Sequence, residues 1–319
     1  MTSDWTWSGK TVLVTGGTGS FGHAVVPELL ARGVDRVIVF SRDELKQHDM
    51  RKEITDPRLE FRVGDVRDAE RVRRGLRGVD LVLHAAAMKH VPACEYNPFE
   101  AIKTNVLGAM NVIEASIDCG VSRVMALSTD KACAPANLYG ATKLCAEKLF
   151  VDGNAYAGPA PTRFSCVRYG NVLGSRGSVV PIWREQAKSG AIQIAQDFEM
   201  TRFWMKLTAA VEFVLSSVEM MQGGEVFIPK LGSCTLAALA AAVVPDALLS
   251  PVPVRQGEKR HESMLSEDES GSARDMGDRF ALYPAMPSWP IDRVGDFLPD
   301  GFTYRSDCAP AADLSSVIP

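Results

Sequence analysis

The sequence predicts a doubly wound parallel α/β sheet followed by a smaller C-terminal lobe. Short apolar runs rich in Val and Ile recur through the first half, stretches with helical spacing of apolar residues separate them, and this alternation fades after about residue 170. The runs show no clean apolar/polar alternation, as expected of strands covered by helices on both faces.

Taken in order, the strand candidates are Thr11–Thr15, Arg36–Phe40, Leu59–Val63, Asp80–His84, Arg123–Leu127 and Thr162–Val167. Ala24–Leu30 and Val106–Ile117 carry helical spacing between them, so strand and crossover helix repeat. Residues 1–170 are expected to form the sheet domain and residues 171–319 mainly the second lobe, with some segments returning to the sheet. Ser266–Ser272 is polar and acidic and Tyr283–Pro290 holds three prolines, so both read as loops.

Composition narrows the class. A chain of 319 residues with 46% hydrophobic content can bury a substantial core, which excludes a disordered or disulfide-stapled mini-protein. The 35 basic and 39 acidic side chains are mixed along the chain, so no basic stripe favours nucleic acid. Asp4, Trp5 and Trp7 precede no apolar run of the leader type, and the two tryptophans are expected to pack on the first strand. The apolar run Leu236–Val244 is about half the roughly 18 residues a membrane span needs. A cytoplasmic protein is therefore expected. Cys94, Cys119, Cys133, Cys145, Cys166, Cys234 and Cys308 form no Cys-x-x-Cys or zinc-type spacing and read as reduced thiols, so no metal is expected. Cys94 and Cys133 lie near the motifs below and read as buried thiols.

Thr15-Gly-Gly-Thr-Gly-Ser-Phe-Gly22 follows the first strand directly and opens a helix. In that context glycines at 16, 19 and 22 serve a tight turn, close approach of a pyrophosphate and close packing of the helix. The diphosphate then rests on the helix amides. This is the dinucleotide-binding arrangement of a Rossmann sheet. The end of the second strand separates NAD from NADP, because an acidic residue there would bond the ribose 2'-hydroxyl and repel a 2'-phosphate. Here the chain reads Phe40-Ser-Arg-Asp-Glu-Leu-Lys46. Ser41, Arg42 and Lys46 offer donors and a guanidinium fork suited to phosphate, so NADP is favoured. Asp65 and Val66 after the third strand are placed for the adenine, and Ala85-Ala86-Ala87 after the fourth leaves room for the dinucleotide backbone. The expected cofactor contacts are Gly16, Thr18, Gly19, Ser20, Phe21, Gly22, Ser41, Arg42, Lys46, Asp65, Val66, Ala85, Ala86, Lys89, Ser128, Tyr139, Lys143, Asn171 and Val172.

Tyr139-Gly-Ala-Thr-Lys143 places a tyrosine and a lysine on one helical face. The lysine can bind the nicotinamide ribose, and its charge, with that of the oxidised nicotinamide, favours a tyrosinate that takes a hydroxyl proton. Ser128-Thr-Asp-Lys131 stands at the carboxyl edge of the sheet, where open α/β folds bind ligands. A simple alcohol dehydrogenation or epimerisation needs only a small hydroxyl there, the role of Thr129. The added acid Asp130 and amine Lys131 suggest a second reaction. Asp130 can protonate a departing hydroxyl, and Lys131, if its neutral form is favoured, can remove a proton next to a transient ketone.

These motifs resemble the extended short-chain dehydrogenase/reductase family, and within it the configuration-inverting UDP-N-acetylglucosamine 4,6-dehydratases of bacterial pseudaminic acid and capsule pathways. The resemblance runs from Thr11 to about Ser270, and includes His84-Ala-Ala-Ala-Met-Lys-His-Val91, Arg168-Tyr-Gly-Asn-Val172, Gly174-Ser-Arg-Gly-Ser-Val-Val-Pro181, Met200-Thr-Arg-Phe-Trp204 and Gly257-Glu-Lys-Arg-His-Glu262. It implies a cycle on a UDP-linked hexose. Tyr139 assists oxidation at C4 by NADP, Lys131 removes the C5 proton, Asp130 helps expel the 6-hydroxyl, and hydride returns to C6. Retaining relatives carry Thr-Asp-Glu where this chain has Thr-Asp-Lys, so inversion at C5 rests on Lys131. The resemblance implies substrate contacts at Lys89, Asn171, Val179, Arg202, Arg255 and Glu258, with Arg202 or Arg255 on the diphosphate. Gln256 and Arg260 replace the family's usual proline and leucine, which bears on sugar specificity. A homo-oligomer, dimer or hexamer, is also implied. The competing readings are a UDP-hexose 4- or 5-epimerase and a noncatalytic NADP sensor.

Overall fold

The computed structural model describes residues 5–175 and 177–318. Asp4 and Arg176, each within a stretch read above, lie outside them.

The first half builds strand by strand. β1 (Thr11–Thr15) leads into α1 (Ser20–Ala31), β2 (Arg36–Ser41), α2 (Glu44–Glu53), β3 (Leu59–Val63), α3 (Ala69–Gly75) and β4 (Leu81–His84). Two short helices, α4 (Val91–Tyr96) and α5 (Pro98–Ile102), and a wide turn at Lys103–Leu107 precede α6 (Gly108–Asp118). β5 (Arg123–Thr129), a single tight turn at Asp130–Ala132, α7 (Leu138–Ala157) and β6 (Arg163–Tyr169) follow. The sheet order is β3-β2-β1-β4-β5-β6, with every pair parallel. Order reverses between β1 and β4, which opens a crevice at their carboxyl ends.

Both faces of the sheet are dry. Leu13, Ile38, Val82, Val124 and Phe164 pack on one side with Val112 and Ile113 of α6 and Phe150 of α7. Val12, Val14, Val37, Val39 and Met125 pack on the other with Val25, Val26 and Leu29 of α1. Trp5 and Trp7 pack against this second cluster, and the Trp7 indole donates to Glu219 at 2.7 Å. Neighbouring residues of β1, β2, β4 and β5 thus serve opposite cores, which is why these strands read as apolar runs and not as alternation.

Beyond residue 171 the chain serves two structures. β7 (Asn171–Val172), α8 (Val179–Ala187), β8 (Ala191–Ala195) and β9 (Thr201–Met205) begin the second lobe. Its core is Leu173, Val180, Trp183, Ile192, Ile194, Trp204 and Leu239. The chain then returns to the main sheet through α9 (Leu207–Met220) and β10 (Val226–Pro229), which pairs parallel to β6. The strands Arg279–Leu282, Ala273–Asp275 and Asp296–Phe297 extend the edge antiparallel, making ten strands among the described residues. Ser266–Ser272 is not simply a loop. Glu267–Ser270 forms a helical turn closed by a capping box between Ser266 and Glu269. Among the described residues no helix is long and apolar enough to cross a membrane.

Candidate active site

A cleft of about 970 Å³ runs along the carboxyl ends of β1 to β6 and against the second lobe. At its floor the glycine turn is built without room for side chains. A Cβ added to Gly22 would stand 1.9 Å from the Gly17 carbonyl oxygen, so α1 starts packed onto its own turn. Gly16 has φ +64°, and a Cβ there would come within 2.9 Å of the Ala86 backbone. No side chain caps α1 at Gly19, and Gly16, Thr18, Gly19, Ser20 and Phe21 line the cleft. A helix start of this kind is a ready anion site, and a diphosphate fits it. Gly22, expected among the contacts, does not line the cleft; it packs the helix.

At the end of β2, Ser41 is buried and its hydroxyl accepts from Gln47 at 3.0 Å. The Arg42 side chain is 62% exposed, with its guanidinium 4.0 Å from Asp65. Lys46 pairs with Asp43 at 2.9 Å. These residues, with Asp65 and Val66, line the same end of the cleft. Asp65 is held below the ordinary carboxylate range, because bonds from Arg67 and the charge of Arg42 outweigh its burial. Ala85, Ala86 and Lys89 form the wall that follows β4. Asn105 pins that wall, accepting from the Met88 amide at 2.8 Å and donating to its carbonyl at 3.0 Å and to Thr142 at 3.0 Å.

The helix that carries Tyr139 and Lys143 is set by one close contact. α7 is capped by Asn137, whose side chain accepts from the Gly140 amide at 2.8 Å. A Cβ on Gly140 would fall 2.2 Å from the Lys131 carbonyl oxygen, so only glycine lets the first turn of α7 rest on the Asp130–Ala132 turn. Tyr139 is thereby brought beside Thr129, with a side-chain hydrogen bond between them. Burial raises the Tyr139 phenol to about 12, against the opposing pull of Lys131 and the Thr129 bond. The cation acting most on Tyr139 is thus Lys131, where Lys143 was expected. Lys143 is buried, donates to the Leu127 carbonyl at 2.7 Å, and is lowered by burial despite Cys166 and Glu147. Both Tyr139 and Lys143 line the cleft.

Lys131 sits in a cage of acceptors. Its ammonium lies 3.0 Å from Asp130, 3.3 Å from the Asn171 side-chain oxygen and 3.4 Å from Glu262. Burial pulls its pKa down, but Asp130 and Glu262 outweigh it and hold the amine above the usual lysine range. The condition set for Lys131 as a base, a favoured neutral amine, is thus opposed by these two carboxylates. Asp130 is fully buried and accepts from Thr129 at 2.9 Å as well as from Lys131. It stands behind Lys131 and does not line the cleft, whereas Thr129, Lys131 and Glu262 do.

Residues 12–284 match the family described as polysaccharide biosynthesis protein. The chain belongs to this family. It is 48% identical over 314 residues to a UDP-N-acetylglucosamine 4,6-dehydratase (inverting) of Campylobacter jejuni, covering 94% of this chain and 93% of that one. It is also 42% identical over 282 residues to a UDP-glucose 4-epimerase of Rickettsia conorii, covering 86% and 82%. Among solved structures it superposes on Pen from Bacillus thuringiensis with a TM-score of 0.91 at 34% identity, covering 98% of this chain and 96% of that one.

On this family member the remaining expected residues sort clearly. Ser128, Asn171, Val172, Val179, Arg255 and Glu258 line the cleft. Arg202 does not. It is buried, its guanidinium donates to the carbonyls of Thr201 at 2.7 Å and Arg260 at 3.0 Å, and it pairs with Glu258 at 3.2 Å. The structure makes it a support for cleft carboxylates, and of the two arginines expected on the diphosphate it is Arg255 that lines the cleft.

Sequence reading missed a buried network below the site. Arg168 is fully buried between Glu147 and Glu269, with Glu269 at 2.8 Å. Glu147 in turn accepts from Ser128 at 2.7 Å. Cys133 donates to Glu269 at 3.5 Å, and burial pushes its thiol up to about 12. The available signal was the arginine in Arg168-Tyr-Gly-Asn: a charge at the end of a core strand demands buried partners.

Proposed function

We propose that this chain is a C5-inverting UDP-N-acetylglucosamine 4,6-dehydratase that uses NADP, in the cytoplasm and as a homo-oligomer. The observation that carries this reading is the placing of Lys131 beside Tyr139 at one cleft, with Asp130 directly behind. A 4-epimerase needs the tyrosine but no base at C5, and a 5-epimerase needs a base there but no acid to expel a hydroxyl.

Gly16 to Phe21 would hold the cofactor diphosphate, Lys143 the nicotinamide ribose, and Ser41 and Arg42 the 2'-phosphate. Bound there, the nicotinamide supplies a hydride acceptor for C4 and a hydride donor for C6, so it is regenerated at each turnover. Tyr139 takes the C4 hydroxyl proton, helped by the positive charge of Lys131. Ketone formation acidifies the C5 proton. The Lys131–Asp130 ion pair is one proton transfer from being a free amine and a carboxylic acid, across 3.0 Å. In that form Lys131 removes the C5 proton, and Asp130 returns one to the leaving 6-hydroxyl through Thr129, which it holds at 2.9 Å. Water leaves with no net change in the enzyme's protons. Hydride addition at C6 is matched by a proton from solvent at C5 on the opposite face, Tyr139 gives up to solvent the proton it took from the C4 hydroxyl, and the inverted 4-keto-6-deoxy sugar results. Arg255, Glu258, Val179, Asn171 and Lys89 are the substrate contacts on this reading.

Incubating the protein with UDP-N-acetylglucosamine and NADP should yield a product lighter by one water, with solvent deuterium at an inverted C5. An unchanged mass with altered stereochemistry would establish the epimerase instead.

A further inference from the structure

The segment Arg255–Glu262 of the second lobe lies directly on the catalytic turn. The Asn137 side chain donates to the Gly257 carbonyl at 2.8 Å, and Lys259 donates to the Cys133 carbonyl at 2.6 Å. At the end of this segment Glu262 is 2% exposed, lines the cleft and meets Lys131 at 3.4 Å. A chain of alternating charge results. Glu258 pairs with Arg202 at 3.2 Å, Arg202 with Glu262 at 3.9 Å, Glu262 with Lys131, and Lys131 with Asp130 at 3.0 Å. Lys259 adds a second cation 3.6 Å from Glu262.

We infer that Glu262 is a positioning residue for the elimination step, holding the Lys131 amine out in the cleft from the lobe side. The inference rests on the dehydratase reading above. Asp130 draws the amine back onto its own turn, whereas Asn171 of β7 and Glu262 hold it from the lobe side, and of those two Glu262 is the carboxylate. Without that pull the amine settles onto Asp130 and its reach to C5 is lost. The groups facing Lys131 are Asp130 from the turn, Asn171 from β7, Tyr139 from α7, Arg202 from β9 and Glu262 from the lobe segment. Of these, Asp130 and Glu262 favour its protonated form and Arg202 opposes it. Glu262 therefore affects both where the amine stands and the pH at which it becomes a base.

The test compares the wild type with Glu262→Gln and Glu262→Asp, reading two steps separately. C4 oxidation is followed as reduced-nicotinamide absorbance in a single turnover, and dehydration as product mass and C5 deuteration from pH 7 to 11. Glu262→Gln should still oxidise C4, because Lys131 stays a cation beside Tyr139, and should keep its KM. Its maximal dehydration rate should fall about 10- to 100-fold, the scale of a misplacement of about 1 Å. Its rise in rate with pH should begin about one unit lower, as expected on removing one carboxylate within 4 Å of the base. Glu262→Asp should restore the pH profile. The inference is overturned if Glu262→Gln keeps both rate and profile, or if both variants lose C4 oxidation, which would make Glu262 a folding residue. A wild type that releases no water overturns the dehydratase reading itself, a result independent of either variant.

Discussion

Replacing Glu269 by Gln removes one carboxylate from the buried Arg168 cluster while keeping the side chain's volume. Burial alone would raise Glu269, but hydrogen bonds and charge from Arg168 bring it down to about 2, from an ordinary 4.5. At about 1.4 kcal/mol per unit, that difference is worth about 3 kcal/mol of stability at neutral pH. It agrees with the roughly 3–5 kcal/mol lost when one partner of a buried pair is removed. The sign follows from the depression. The contribution is complete above the unfolded value of 4.5 and disappears as pH falls through the folded value of about 2. By the same linkage relation about 2 kcal/mol survives at pH 3.5. Urea unfolding of both proteins, followed by tryptophan fluorescence between pH 7.5 and 3.5, measures the gap. A gap below about 0.5 kcal/mol at neutral pH, or one that does not shrink toward acid, would refute the assignment of Glu269 as the counter-ion of Arg168.

Three further outcomes follow from the site. Arg42→Ala should weaken NADP binding roughly tenfold and leave NAD binding nearly unchanged, since a charge-assisted bond on an exposed side chain is worth about 1.5 kcal/mol; isothermal titration with each dinucleotide checks this, and equal losses for both would remove Arg42 from the 2'-phosphate site. Lys131→Ala should still form the C4 ketone but lose dehydration by about 10²- to 10⁴-fold, the usual worth of a general base, as read by reduced-nicotinamide absorbance against product mass. Cys133 should resist iodoacetamide at pH 8 and its Ser variant should stay active, because its thiol is 1% exposed and raised to about 12; peptide mapping should find exposed Cys145 and Cys308 modified first.

Much of the fold was legible because most of β1 to β6 are apolar runs, and all but the β1–β4 pairing join strands that follow one another in the chain. Their ends were less so: β5 runs on to Thr129 and β6 to Tyr169, where polar and charged side chains conceal continued pairing. The second lobe was opaque for a different reason. β8 finds its partner at Leu248–Val252 and β9 at Ser233–Thr235, short segments with little periodicity of their own. The site divides in the same way. Gly16, Gly19, Tyr139, Lys143 and Lys131 announce themselves by local spacing. Glu262 and Glu269 do not, because each is explained only by a cation far away in sequence, Lys131 and Arg168. Read locally, an acidic stretch such as Ser266–Ser272 looks solvated. Arg202 misled in the opposite direction, since an arginine suited to phosphate is equally suited to backbone carbonyls.

On the proposed reading, the seating of Gly140 on the Lys131 carbonyl joins the residue that creates the C4 ketone to the residue that uses the acidity it lends C5. The half-oxidised sugar needs no transit between stations and no relocation of the protein around it. Flux then depends on how long that ketone survives in place, not on how often it is recaptured. Carbonyl-trapping reagents in the surrounding solution would find almost nothing to react with until the finished product departs.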